Sequence, residues 1–374
     1  MIRHRGRVLA AMVALTVFAA LAATAAAQAQ TYTFTKIADS AEGLTPDRCP
    51  AINDVGQVAF TAFTADGVQT IFRAEPDGQL TAIADDASRF RFFGANPSIN
   101  EQGQVSFAAA LEKDGEAIVI SKGKTLKIAA RTEPERFNFF GFNTSLNNLG
   151  EAVFTAELDE EFGFDEGTFV TNGSKIQTIY LASTSQFQGT DSRRSINDAG
   201  QIAFEERLDD FTSGIFRFDP AGGFVTIVDE NSPVVDFATH PQLNAAGVVV
   251  FHAFLDAGGE AIVTGSGGAL TTVADTSGAF GSFAFFGGPS INDLGQLAFG
   301  AALDGAFGNG VYTGPDPVAD RVVAPGDIVD GATVTNTVVC AEGLNNAGQI
   351  VFVADLQQGD EMRTAIFIAT PGTD

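Results

Sequence analysis

The chain has 374 residues, of which 46 are acidic and 21 are basic, so its formal charge is −25. This acidic excess argues against nucleic acid and anionic membrane surfaces as partners, because both would repel the protein. The apolar share of 45% is too high for a disordered acidic chain, and two Cys with three His leave little for a zinc cluster.

The first 29 residues have the pattern of a secretory signal peptide. Arg3, Arg5 and Arg7 precede an apolar run over residues 8–22, and the small residues around Ala27 suit a cleavage site. No later stretch reaches the roughly 20 apolar residues of a membrane helix. We therefore expect residues 1–29 to be removed, which would take the charge from −25 to −28. The protein is then exported, to the periplasm or outside the cell.

One motif, Asn-x-x-Gly-x-x-x-Phe, occurs seven times in the rest of the chain, at spacings of 47, 47, 50, 47, 48 and 53 residues. Its Asn and Gly residues are Asn53 and Gly56, Asn100 and Gly103, Asn147 and Gly150, Asn197 and Gly200, Asn244 and Gly247, Asn292 and Gly295, and Asn345 and Gly348. Asn in the first position and Gly in the fourth are typical of a type I turn, since Asn bonds to nearby backbone and Gly takes a positive φ. We expect these residues to be structural, and residues 30–374 to form one domain.

Each repeat contains four short strands in chain order. Examples of the first to the fourth strand are, in order, Pro97–Asn100, Gly56–Phe60, Ile71–Arg73 and Leu80–Asp85. No sustained helical period appears in the chain after residue 29. The second strand is apolar on both faces, which indicates that it is covered on both sides. Four strands in a unit of about 48 residues predict an all-β fold, a seven-bladed β-propeller.

The two ends of the chain are predicted to close the ring. The seventh repeat ends with Thr364–Ile368 as its third strand, and Tyr32–Asp39 matches the missing fourth strand. Cys49 and Cys340 occupy nearly equivalent joints in repeats one and seven, which become neighbours on closure. In an oxidising compartment we expect these two cysteines to form a disulfide.

The seven NxxGxxxF motifs make the chain resemble a family of bacterial exported tandem-repeat proteins, the choice-of-anchor repeat proteins. The resemblance covers residues 30–374 and implies an exported, surface-displayed protein, with no established activity or catalytic residues. No anchor is recognisable after the last repeat, so release or periplasmic residence is the alternative to attachment.

A ligand site is predicted in the joints before the first strands, which should open around the pore. The charged or titratable residues there are Arg48, Arg193, Arg194, His240 and Glu342. Four potential cations on one rim of an acidic chain predict a positive mouth for an anionic ligand. The alternative pairs Arg193 and Arg194 with Glu205 and Glu206 across the hairpin, which leaves no charge for a ligand.

Three other features have a structural and a functional interpretation. The Phe-rich joints Phe90–Gly94, Phe137–Gly141 and Phe283–Gly287 suit packing between blades, or an apolar docking surface. The acidic run Asp159–Glu166 suits a solvated loop, and calcium is the alternative, although the EF-hand spacing is absent. His252 lies in a second strand and is expected to be packed.

No catalytic spacing of Ser, His and acid is recognisable, and there is no G-x-S-x-G. We expect a monomeric binding or scaffold module, without a cofactor, that presents the loops of a propeller face to a protein or glycan at the cell exterior. The alternatives are an enzyme, a hydrolase or lyase with a site at the pore mouth, and a purely structural extracellular protein.

Overall fold

A computed structural model describes residues 30–372, apart from residues 48, 88, 95, 114, 133–135, 160, 162, 164, 190–192 and 239. The predicted signal peptide, residues 1–29, and Arg48 lie outside the described residues. The described part of the chain is almost entirely β, and its strands form seven antiparallel sheets. These sheets are the blades of a β-propeller, so the predicted fold is confirmed.

The first strand, β1 (Tyr32–Asp39), belongs to the last blade, and a short helical turn over Ser40–Glu42 leads from it into the first. Blade 1 contains β2 (Leu44–Pro46), β3 (Ala51–Ile52), β4 (Val58–Thr64), β5 (Gln69–Ala74) and β6 (Leu80–Asp85). Blade 2 contains β7 (Phe90–Phe93), β8 (Ser98–Ile99), β9 (Val105–Leu111), β10 (Glu116–Lys122) and β11 (Thr125–Arg131). Blade 3 contains β12 (Phe137–Phe140), β13 (Ser145–Leu146), β14 (Ala152–Leu158), β15 (Glu166–Thr171) and β16 (Ile176–Leu181).

A second helical turn, Ala182–Thr184, precedes blade 4, which contains β17 (Ser195–Ile196), β18 (Ile202–Arg207), β19 (Ser213–Asp219) and β20 (Gly223–Asp229). Blade 5 contains β21 (Val234–Phe237), β22 (Gln242–Leu243), β23 (Val249–Leu255), β24 (Glu260–Gly265) and β25 (Thr271–Asp275). Blade 6 contains β26 (Phe280–Phe283), β27 (Ser290–Ile291), β28 (Leu297–Leu303), β29 (Gly310–Tyr312) and β30 (Arg321–Val323). Blade 7 contains β31 (Ile328–Val329), β32 (Ala332–Leu344), β33 (Ile350–Gln358), β34 (Glu361–Pro371) and β1.

The Asn-x-x-Gly turn joins the inner strand of every blade to its second strand. In blade 1 the Gly56 N–H donates to the Asn53 carbonyl over 3.0 Å, and the φ of Gly56 is +81°. The glycines of the other six turns also have positive φ. A type I turn followed by a left-handed residue is a common three-residue hairpin, and it favours Gly because a Cβ there would be strained.

The inner strand of blade 2 is split by a bulge, a feature that the sequence analysis did not predict. Phe93 pairs with Ala109, whereas Ser98 pairs with Ser106. Four residues separate Phe93 from Ser98 along the chain, whereas only two separate their partners on β9, so the inner strand is interrupted between these two pairs. The Phe-rich joint of this blade is thus the first half of its inner strand, and blades 3, 5 and 6 repeat this division.

The core consists of layers between neighbouring blades. Ile71 of blade 1 packs with Phe93 and Phe107 of blade 2 in one buried cluster, and comparable clusters lie between other pairs. The motif phenylalanines, such as Phe60 and Phe107, are fully buried. Phe thus supplies the large aromatic contact area between blades.

Two contacts join the ends of the chain. β1 pairs antiparallel with β34, with Thr35 opposite Ile368, and becomes the outer strand of blade 7. Cys49 and Cys340 form a disulfide with their Cα atoms 5.4 Å apart. The predicted strand closure and the predicted disulfide are both confirmed. Among the described residues, no helix is long and apolar enough to cross a membrane.

Candidate functional site

The inner strands surround an axial channel that encloses about 170 Å³. Its narrow part is an apolar collar, because the residue before every motif Asn is Ile or Leu. The collar consists of Ile52, Ile99, Leu146, Ile196, Leu243, Ile291 and Leu344. This regularity is present in the sequence, but the sequence analysis did not use it.

The seven motif asparagines link the blades around this channel. The Nδ2 of each Asn donates to the backbone carbonyl of the Asn in the next blade over 2.9–3.2 Å, and the ring closes from Asn345 to Asn53. The Oδ1 atom accepts from the backbone four residues on, as Asn53 does from Gln57 at 2.8 Å. All seven asparagines are buried. The protein itself therefore occupies these amides, and the ring holds the blades in register.

One mouth of the channel, on the face of the Asn-x-x-Gly turns, is acidic. The residues that follow the motif Asn lie there: Asp54, Glu101, Asn148, Asp198, Ala245, Asp293 and Asn346. Several of their side chains accept backbone N–H groups of a neighbouring blade, such as Asp198 from Asn148 at 2.7 Å. Burial raises the pKa of the Glu101 carboxyl, and the charges of Asp54, Asp198 and Asp293 add to this effect. These carboxylates therefore face one another across the mouth.

The joints before the inner segments contact one another around the opposite part of the channel. Asn96 Nδ2 donates to Asn143 Oδ1, which links blades 2 and 3. Arg193 Nη2 lies 3.1 Å from Glu342 Oε1. Blades 4 and 7 are not neighbours in the ring, so this ion pair crosses the propeller axis.

Three of the residues predicted to bind a ligand come together here: Arg193, His240 and Glu342. The Arg193 side chain is only 4% exposed, and Glu342 matches its charge. Burial, together with the nearby charge of Arg193, lowers the pKa of His240 to about 4, so this imidazole is neutral at pH 7. The arrangement of these described residues does not supply the positive mouth on which the expected anionic ligand depended.

Arg194 lies elsewhere, buried between blades 3 and 4. Its Nη2 contacts Glu206 Oε2 at 2.7 Å and the Tyr180 hydroxyl at 2.9 Å. The side chains of Arg194 and Glu206 are 2% and 0% exposed. The alternative pairing across the hairpin therefore holds for Arg194 and Glu206, whereas Arg193 pairs with Glu342. A buried carboxylate needs such a partner, because an unpaired charge in the interior is costly.

The face opposite the turns carries most of the exposed aromatic side chains. Every second strand starts at an Asn-x-x-Gly turn, so its end and the following loop lie on this opposite face. Seven of the eight exposed phenylalanines among the described residues lie there: Phe63, Phe92, Phe139, Phe211, Phe285, Phe286 and Phe307. We call this surface the aromatic face.

The Phe-rich joints contain both buried and exposed rings. Phe90 and Phe93 are buried between blades, whereas Phe92, between them, is exposed. Phe92 and Phe139 both pack edge-on against Phe142, with ring centroids 5.8 Å apart. Simple alternation does not separate the buried rings from the exposed ones, because the register shifts between Phe90 and Phe92.

The acidic run Asp159–Glu166 is only partly described. Asp165 accepts a bond from the Ser183 N–H at 2.9 Å. The described residues contain no group of three or more His, Cys, Asp or Glu side chains placed to hold a metal ion. His252 is buried in β23, as expected, and its Nε2 lies 3.1 Å from Glu260.

Comparison with known families places the chain in one of them. The model of a family of unknown function, DUF7453, matches residues 13–124 and 225–370, which is more than half of the chain. The chain belongs to this family. Membership in DUF7453 assigns no activity, and the resemblance to anchored repeat proteins stays a prediction. No curated protein matches the sequence.

Solved structures similar to this DUF7453 member are β-propellers. The β-propeller domain of the Trilobed protease from Pyrococcus furiosus gives a TM-score of 0.56 at 11% identity, over 89% of this chain and 98% of that one. The Pyrococcus horikoshii acylaminoacyl peptidase gives a TM-score of 0.53 at 12% identity, over 89% of this chain and 53% of that one. At such identities the likeness concerns the fold alone. The first of these is described as having an open velcro topology, whereas β1 and β34 close the ring here.

Proposed function

We propose that the protein is an exported binding module that takes a glycan at the cell exterior on its aromatic face. The observation that carries the proposal is the concentration of exposed phenylalanines on this one face. Large exposed apolar side chains that cluster on a surface commonly mark a site of interaction. The disulfide between Cys49 and Cys340 is consistent with an oxidising, exported environment.

The distribution of the rings favours a glycan over a protein. The rings form separate groups. One group is centred on Phe92 and Phe139, and the other consists of Phe285 and Phe286, whose two ring centroids lie 5.5 Å from each other. Exposed polar residues such as Asn138 and Asp236 interrupt them. A protein interface instead tends to have a continuous apolar centre that is poor in charge, anchored by Trp, Tyr or Arg. Sugar chains alternate C–H faces that stack on aromatic rings with hydroxyls that bond to polar groups.

The proposal is tested with the chain from residue 30 onward, by sedimentation with insoluble polysaccharides and by an oligosaccharide array. The variant Phe92→Ala, Phe285→Ala, Phe286→Ala should lose at least tenfold in affinity, because it removes the exposed rings from two groups. The matched control removes exposed apolar side chains from the opposite face: Val55→Ala, Leu149→Ala, Leu294→Ala. The control should bind like the native protein.

Other outcomes would contradict parts of this proposal. Loss of binding in the control would place the site on the turn face. Capture of one protein partner, lost in the aromatic variant alone, would replace the glycan by a protein. Shortening of the oligosaccharide during incubation would indicate the hydrolase or lyase alternative.

A further inference from the structure

A pocket of about 240 Å³ opens on the aromatic face between blades 3 and 4. Phe139, Glu157 and Glu166 line it, and the glycines Gly167 and Gly189 form part of its wall. Phe139 and Glu166 are exposed, so a ring face and a carboxylate are both accessible from solvent. Among the described residues, the linings of the axial channel and of three other surface pockets do not include an aromatic ring.

The pocket is open because blade 4 has a glycine where blade 3 has an aromatic ring. Phe187 forms an isolated bridge with Leu208 in blade 4, at the position where Phe137 pairs with Leu158 in blade 3, so Gly189 corresponds to Phe139. The φ of Gly189 is +79°, and a Cβ at this position would lie 2.5 Å from the Glu166 Cβ. A side chain here would therefore push against Glu166 and fill the space beside it.

The two carboxylates of the pocket break a rule of sheet pairing. Glu157 and Glu166 lie directly opposite each other on β14 and β15, and like charges in this position are destabilising. In the corresponding pairs of blades 2 and 5 only one partner is acidic, namely Glu116 in blade 2 and Glu260 in blade 5. Such local conflicts are expected at functional sites, where a ligand relieves them.

The groups in the pocket are hydrogen-bond acceptors beside an aromatic surface. Asn138 Nδ2 donates to Glu157 Oε1 over 2.7 Å, which orients that carboxylate. Ionised carboxylates accept several hydrogen bonds each, and sugar hydroxyls can donate them. Anionic sugars are disfavoured, because two carboxylates line the pocket and the chain as a whole has a net charge of −25.

We propose that this pocket is the primary subsite for a neutral hexose residue, which stacks on Phe139 and donates hydroxyl hydrogen bonds to Glu157 and Glu166. This proposal rests on the proposed function, since it names the sugar class and the place where the glycan is held. The rings of blades 5 and 6 then contact sugar units farther along the chain.

The test is titration calorimetry of the chain from residue 30 onward with four hexamers. Cellohexaose and mannohexaose are the neutral probes, chitosan hexamer the cationic one and hexagalacturonate the anionic one. We expect a neutral hexamer to bind, and Glu157→Gln and Phe139→Ala each to weaken it roughly tenfold, as loss of one charge-assisted bond or stacked ring would. Glu112→Gln, an exposed carboxylate on the same face, is the matched control and should leave affinity unchanged.

The outcomes separate this proposal from the more general one. A neutral hexamer could bind with an affinity that Phe285→Ala and Phe286→Ala lower but Glu157→Gln and Glu166→Gln leave unchanged. This result would overturn the subsite proposal and leave the proposal of glycan binding on the aromatic face intact. If only the cationic or only the anionic hexamer binds, the proposal that the ligand is a neutral sugar is overturned. Failure of both neutral hexamers to bind, with a native melting curve, would overturn the subsite as stated, and sedimentation with polysaccharides would still test the face.

Discussion

Glu206 occupies a position where the other six second strands carry alanine, such as Ala62 and Ala109. At this position the side chain points between blades, so a buried carboxylate there needs charged or hydrogen-bonding partners nearby. Arg194 and the Tyr180 hydroxyl supply them, and burial raises the pKa of that hydroxyl so that it stays a donor. Blade 4 thus replaces an apolar contact by a buried polar cluster.

This cluster predicts a large asymmetry between single and double variants. Glu206→Ala should lower the free energy of unfolding by about 3–5 kcal/mol, because it leaves the Arg194 charge buried without a counter-charge. Arg194→Met together with Glu206→Ala should recover much of this loss, since buried pairs are often replaceable by apolar groups. Urea unfolding of the four members of the cycle measures both effects. A double variant that is less stable than Glu206→Ala would contradict the argument.

His240 predicts a dependence of stability on pH. Its pKa is about 4 in the folded protein and 6.5 in the unfolded chain, so between these values the unfolded state binds more protons. Stability therefore falls as the pH drops below about 6.5, and this one group should cost roughly 2 kcal/mol at pH 5 relative to pH 7.5. Other groups titrate over the same range, so the comparison is with His240→Gln. The variant should lose about 2 kcal/mol less over this interval, and an equal loss in both proteins would rule out this role for His240.

The strands show how far a repeat pattern determines structure. The fourth strand was predicted as Leu80–Asp85, and β6 has these bounds. The second strand was predicted as Gly56–Phe60, apolar on both faces, and β4 begins within this range but continues beyond Phe60 to Thr64. The count of the motifs and their regular spacing were sufficient to predict the number of blades. These features depend on local patterns that repeat in every unit.

The split inner strand and the axial contacts could not be derived in the same way. The bulge between β7 and β8 depends on how both strands pair with β9, which is a register that no single segment encodes. The Arg193–Glu342 ion pair joins blades 4 and 7, and only the closed ring brings these residues together. Both residues were predicted to lie at the channel, and the only protein partners considered for Arg193 were Glu205 and Glu206 on its own hairpin.

The Phe-rich joints were interpreted as blade packing or as an apolar docking surface, without a division of their rings between the two. Each joint carries buried and exposed phenylalanines, and in blade 2 their separation depends on the register shift between Phe90 and Phe92. Composition gives only the total number of Phe residues. The face becomes evident when all seven strand ends are placed on one side of the ring.

At the scale of the whole molecule, the ring is closed at the interface between blades 7 and 1 by several contacts of different physical kinds. β1 adds a ladder of backbone pairs along β34, and Tyr32 and Phe34 pack against the buried cluster between blades 6 and 7. The disulfide links residues 291 positions apart, and a cross-link of this kind acts mainly on the unfolded chain. The strand therefore stabilises the folded ring directly, whereas the disulfide stabilises it by restricting the conformations of the unfolded chain.

This division predicts different losses when each closure is removed. Cys49→Ser with Cys340→Ser should keep one cooperative transition and a monomer, with an unfolding free energy lower by up to about 5 kcal/mol. Deletion of residues 31–39 exposes the edge of β34 and the apolar side chains that β1 covers, so we expect aggregation and loss of cooperative unfolding. Urea unfolding followed by circular dichroism, with size-exclusion chromatography of each variant, distinguishes the two. A deletion variant that unfolds cooperatively at the native midpoint would show that the disulfide, and not β1, holds the ring together, because the cysteines remain in that variant.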